Sequence, residues 1–99
     1  MERDELGLKR LVLDVMKLHQ PSLVEFAERL ASIPSVEGVN CILREVDQNT
    51  ETLKVIIVGD NINYALVERM IEDMGGTIQS VDAVVAGRRL VEDVAVPSD

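Results

Sequence analysis

Residues 8–18 read LKRLVLDVMKL, an alternation that places Leu11, Leu13 and Val15 on one face and Arg10, Val12, Asp14 and Met16 on the other. That period of two belongs to a strand with one core face. The HQPS that follows ends it, because Pro21 cannot donate to a ladder, and Ser22 with Glu25 three residues on has the spacing of a capping box. Leu23, Phe26, Ala27, Leu30 and Ile33 then recur at helical spacing as far as Pro34. Period two resumes in VEGVNCILREVD, with Val39, Cys41 and Leu43 on one side and Asn40, Ile42, Arg44 and Val46 on the other. One strand, helix, strand unit thus fills residues 6–47, and the same grammar repeats over residues 53–91.

In the second unit the polar residues 47–52 predict a hairpin leading into the apolar run LKVIIVG. GDNIN turns the chain, with Asp60 or Asn61 as the expected cap of a helix that buries Ile62, Leu66, Val67, Met70, Ile71 and Met74. Gly75 and Gly76 stop that helix, and TIQSVDAVVAGRRLV makes the fourth strand, with Gly87 within it marking a bend or bulge. The order βαββαβ predicts an α+β, ferredoxin-like fold, a four-stranded antiparallel sheet with two helices on one face. Ninety-nine residues make a single domain, with a core of about residues 7–91 and a tail over 92–99.

Composition narrows the function. Eighteen acidic against ten basic residues give a net charge of −8, which repels a phosphate backbone and speaks against nucleic acid as a partner. Both aromatics, Phe26 and Tyr64, fall in helices, so the sheet offers no base-stacking platform of the RNA-recognition kind. Cys41 is the only cysteine, which rules out an internal disulfide or a CxxC metal-transfer loop and fits a reducing cytoplasm. MERDELGLKR lacks the basic start and apolar run of an export signal. The apolar run at residues 55–58 is far short of the roughly 20 residues that cross a bilayer, so no membrane is expected.

Catalytic signatures are sparse. Ser22, Ser32, Ser35 and Ser80 have no G-x-S-x-G context, and the Gly75–Gly76 pair follows a helix instead of opening one, unlike a phosphate loop. With the first and third strands taken as parallel central neighbours, the loops after them meet at one sheet edge. His19 would then lie beside Asp60 and Asn61, where an imidazole next to a carboxylate can serve as a base or help hold a ligand. The plainer account is a solvated histidine and a helix cap. Asp14, Asp60 and Asp82 are the candidate oxygen ligands for Ca²⁺ or Mg²⁺, among carboxylates on strands or their ends that also include Glu45 and Asp47; Asp14 paired with Arg10 or Arg44 is the simpler alternative. Arg88 and Arg89 could hold an anionic ligand or an acidic neighbouring subunit.

With the helices on the face of Leu11, Leu13, Val15, Val55 and Ile57, the opposite face carries Val12, Met16, Ile42, Val46, Ile56 and Val58. So much apolar surface predicts a homo-oligomer joined through the sheet face or its edges. The expected function is non-enzymatic assembly or small-ligand binding; the alternative is a divalent-cation-binding protein or a cation-dependent enzyme.

The segments LVLDVMKLHQPSLVEFA, EGVN, GDNINY, MGGTIQSVD and VVAGRRLV resemble, in order and spacing, the archaeal family called domain of unknown function 211. The likeness runs from about Gly7 to Glu92. It implies a ferredoxin-like fold, a cytoplasmic archaeal protein and oligomeric assembly, with an uncharacterised activity. The family's KPHEPS-like loop falls on residues 17–22, where Leu18 and Gln20 replace proline and glutamate. Its GDDIDY-like loop falls on residues 59–64, where Asn61 and Asn63 replace carboxylates, which weakens cation binding there.

Overall fold

A computed structural model describes residues 6–91. The elements run β1 (Leu8–Leu18), α1 (Leu23–Ala31), β2 (Val36–Val46), β3 (Thr50–Ile62), α2 (Tyr64–Asp73) and β4 (Gly76–Ala86). They form one sheet in the order β2-β3-β1-β4, every neighbouring pair antiparallel. This is the α+β ferredoxin-like arrangement, with each helix crossing over from one strand to the next but one. The expected tail, residues 92–99, lies outside the described residues.

Local chemistry sets the helix ends. Ser22, in extended backbone, accepts the Glu25 N–H at 3.2 Å on its Oγ and starts α1. The second cap is Asn63, whose Oδ1 accepts the Leu66 N–H at 3.2 Å. Asp60 and Asn61 do not cap because β3 continues through Ile62, which pairs with Leu8 and is buried. Gly75 ends α2 with a φ of +81°, and Gly87, at +117°, turns the chain just after β4.

Leu11, Leu13 and Val15 of β1 and Leu53, Val55 and Ile57 of β3 share one face and pack against Phe26, Leu30, Val67 and Ile71 from the helices. The helices are short for the sheet they cover. Ten residues of α2 span ~15 Å and thirteen residues of β3 span ~43 Å. The outer strands therefore keep apolar side chains in water on the helix-bearing side: Leu43 on β2, and Val81 and Val84 on β4.

Alternation is not continuous along the outer strands. A bulge between Leu43 and Glu45 makes Arg44 an extra residue, so Glu45 pairs with Thr52 and Val46 with Glu51. One extra residue reverses the facing of everything after it. Val46, expected on the open face, instead lies on the helix-bearing side beyond the helices, 59% exposed. On β4 the register shifts twice, at Asp82 and at Gln79. No helix among the described residues is long and apolar enough to cross a membrane.

Candidate functional site

The antiparallel pairing of β1 with β3 separates the loops that were expected to meet. His19 follows Leu18, which pairs with Thr50 at the start of β3, whereas Asp60 lies near the end of β3 beside the start of β1. Some nine strand residues, ~30 Å, separate the two ends. Asp60 forms an ion pair with Lys9, and its N–H donates to the Ser35 carbonyl at 2.9 Å. Asn61 has a φ of +60° and sits so close over Gly7 that a Cβ there would overlap it. Arg88 and Arg89 follow Gly87 at this same end, both exposed.

The open face presents cross-strand rows. Asn40, Ile56, Val12 and Ala83 form one; Ile42, Lys54, Asp14 and Ser80 form the next; Glu45, Thr52, Met16 and Thr77 form a third. Val58 pairs with Arg10 above them. Between the charged residues lies an open depression of about 470 Å³, lined by Asp14, Arg44, Glu45, Thr52, Lys54 and Asp82. Asp82 accepts a hydrogen bond from the Ser80 hydroxyl at 2.7 Å. Asp14 and Asp82 thus share a site, but Asp60 is six residues from Asp14's partner Lys54, ~20 Å along β3. The expected three-carboxylate cation site is therefore not assembled within one chain. Among the described residues, no group of three or more His, Cys, Asp or Glu side chains is placed to hold a metal ion, and the depression brings Arg44 and Lys54 to the carboxylates, a poor setting for a dication.

The most connected polar cluster is elsewhere, at the hairpin end of the helix-bearing face. Lys17 is 1% exposed, in line with Leu11, Leu13 and Val15. Its ammonium donates to the carbonyls of Pro21 at 2.6 Å and Leu18 at 3.0 Å, lies 3.4 Å from that of His19, and forms an ion pair with Glu51 Oε1 at 2.9 Å. The ring of Phe26 lies 5.7 Å from it, within cation–π range. The other Glu51 oxygen is 3.2 Å from His19 Nδ1, and His19 Nε2 is 2.9 Å from the Gln48 carbonyl. Hydrogen bonding to Glu51, then to Gln48, raises the His19 pKa, and Lys17 followed by His19 lowers that of Glu51.

Neither Lys17 nor Glu51 stood out in the sequence. The signal is nevertheless there: reading each alternation one step further puts Lys17 in phase with Val15, and Glu51 in phase with Leu53. Residues 47–52 were expected to be loop, but β3 begins at Thr50, and Lys17 and Glu51 are direct partners in the ladder.

Cys41 faces the core opposite Val55, and burial pushes its thiol up to about 11 from an ordinary 9.0. The thiolate is the reactive form. Alkylation of the folded protein near neutral pH should accordingly run at least about tenfold slower than that of the urea-unfolded chain, since the smaller thiolate fraction outweighs the greater nucleophilicity of each thiolate. Equal rates would show that the strand leaves this thiol open to solvent.

Comparison with known proteins now adds an identity to this geometry. The family model DUF211, described as "Uncharacterized ArCR", matches residues 9–99. The chain belongs to the DUF211 family. The "Uncharacterized protein MJ0319" of Methanocaldococcus jannaschii is 42% identical over 93 residues, which span 94% of this chain and 96% of that protein. In this DUF211 chain the two loops that carried the likeness lie at opposite ends of the sheet. The first, residues 17–22, is gathered around the Lys17 ammonium; the second, residues 59–64, ends in the Asn63 cap.

Proposed function

We propose that this DUF211 protein is a non-enzymatic cytoplasmic assembly module whose partner is a second copy of the same chain. The observation that carries this reading is the distribution of exposed apolar side chains over the sheet: Ile42, Leu43 and Val46 on the outer strand β2, and Val81 and Val84 on the outer strand β4, are each between 38% and 59% exposed. Isolated apolar residues are ordinary on a surface, but here each edge of the sheet carries several, Ile42 on the open face and Leu43, Val46, Val81 and Val84 on the helix-bearing side, so the surfaces that association covers are the two edge strands. Charge supports a second copy. The chain carries −8 overall, yet the open-face depression mixes Asp14, Glu45 and Asp82 with Arg44 and Lys54, so two copies meeting there escape the like-charge repulsion they would meet elsewhere.

The weight of the interface shifts from the middle of the open face to the edge strands, chiefly β2. Val12 is already reduced to 8% exposure by its neighbours, and Met16, Ile56 and Val58 are partly covered, so their association yields less than full burial of each side chain would. Ile42, at the β2 edge, has more to gain.

Sedimentation equilibrium of the purified protein should give a mass that is a multiple of 10.9 kDa at micromolar concentration. Ile42→Asp, at an exposed position where the fold tolerates it, should shift that mass toward the monomer with the circular dichroism unchanged. A wild-type monomer at high micromolar concentration would remove the proposal, and an Ile42→Asp protein that assembles as well as wild type would remove the β2 edge from the interface. Native mass spectrometry of the same sample reports any small molecule retained in the depression.

A further inference from the structure

We propose that His19, Glu51 and Lys17 form a proton-dependent clasp, joining the loop after β1 to the β2–β3 hairpin when the imidazole carries two protons and releasing the hairpin when it carries one. The geometry is the warrant. Both ring nitrogens of His19 face oxygen acceptors: Nδ1 lies 3.2 Å from Glu51 Oε2 and Nε2 lies 2.9 Å from the Gln48 carbonyl. A carbonyl cannot donate, and Glu51, held at 2.9 Å by the Lys17 ammonium on its other oxygen, stays a carboxylate that cannot donate either. Only the imidazolium, a donor at both nitrogens, satisfies both contacts. In the neutral ring the remaining proton stays on Nδ1, which faces the charged carboxylate, so the contact that turns repulsive is the one between the Nε2 lone pair and the Gln48 carbonyl.

The clasp can act because its two sides are held differently. Lys17 is buried and bound to the carbonyls of Leu18 and Pro21, so Glu51 and the loop after β1 are fixed to the core. The hairpin residues 47–49 are all exposed and have their own turn bond, from the Asp47 N–H to the Thr50 carbonyl at 2.8 Å. The groups around the ring are Glu51 from β3, the Gln48 carbonyl and Asp47 backbone from the hairpin, and Lys17 from β1 one contact further on. From α1, Phe26 presents an uncharged ring to Lys17.

The pH window follows from the directions of the shifts. His19 has a raised pKa when folded, so its contribution is complete below the ordinary 6.5 and is lost as pH rises through the raised value. Glu51 has a lowered pKa, so its contribution is present above the ordinary 4.5 and is lost as pH falls through the lowered value. The clasp is closed between those two limits.

His19 is the only histidine, so its ring proton signals can be followed by NMR in the wild-type protein without ambiguity. The expected result is a titration midpoint above 6.5, with the backbone amides of Gln48, Asn49 and Thr50 shifting at the same midpoint and their ¹⁵N relaxation showing faster local motion on the alkaline side. In Glu51→Gln the His19 midpoint should fall toward 6.5 or below. A wild-type midpoint at or below 6.5, or hairpin amides that ignore the titration of the ring, would overturn the clasp.

Discussion

Lys17→Met should lower the free energy of unfolding by about 3 kcal/mol, a large share of the 5–15 kcal/mol that holds a domain together. Methionine keeps most of the stem's volume, so the loss isolates the charge. Without the ammonium, the part-buried carbonyls of Pro21 and Leu18 lose their donor, and an acceptor left unpaired away from water costs ~1–3 kcal/mol. Glu51 loses an ion-pair partner but is 17% exposed at its side chain and can turn partly to water, which places the estimate at the lower end for a broken buried pair. Urea unfolding measures the effect. The double variant Lys17→Met with Glu51→Gln should be less destabilised than the sum of its parts, because the second change removes the carboxylate that the first leaves without a partner. Strict additivity, or a Lys17→Met protein as stable as wild type, would mean that the ammonium is not what holds the loop. Arginine should not restore it, since a planar guanidinium does not fit a site that converges on a point charge.

Gly59→Ala should cost about 3 kcal/mol, for a steric reason that lies outside the strand itself. A Cβ at residue 59 would lie 2.0 Å from the Ser35 carbonyl oxygen and 3.0 Å from the Ser35 carbonyl carbon, both backbone atoms. Ser35 cannot retreat cheaply: its φ is +75°, its carbonyl accepts the Asp60 N–H, and the next residue, Val36, pairs with Gly59 itself. Relieving the overlap means opening the junction between the loop after α1 and the end of β3. Gly38→Ala on β2 is the matched control, because a Cβ there meets nothing within 4 Å; it should leave stability unchanged or raise it by up to about 1 kcal/mol through the entropy of the unfolded chain. If both variants unfold at the same urea concentration, the close approach at Ser35 is not a constraint on the fold.

Much of the architecture was legible because it rests on local periodicity. The alternation of residues 8–18 gave the bounds of β1, and the Ser22–Glu25 spacing gave the start of α1. Errors arose where a non-local partner overrode the local pattern. Asn61 looks like a helix cap, but pairing with β1 carries β3 through Ile62 and moves the cap to Asn63. Val46 is in phase with Ile42 by simple alternation, but the extra residue at Arg44 puts them on opposite faces. The candidate site suffered most, since a wrong relative direction for β1 and β3 joined His19 to Asp60 across the full length of the sheet.

By itself, the sequence determined the family, the βαββαβ order and which face of the central strands forms the core, because burial of Leu, Val and Ile at period two or 3.6 is written residue by residue. The tertiary structure alone decided which charged groups meet. Antiparallel pairing of β1 with β3 put Lys17 opposite Glu51 and brought His19 to the hairpin, while sending Asp60 to Lys9 at the far end. The physical reason is range. Apolar burial follows from a residue's place along its own strand, whereas a charge is satisfied only by a partner a few ångströms away, and that partner here comes from another strand, more than thirty residues distant in the chain.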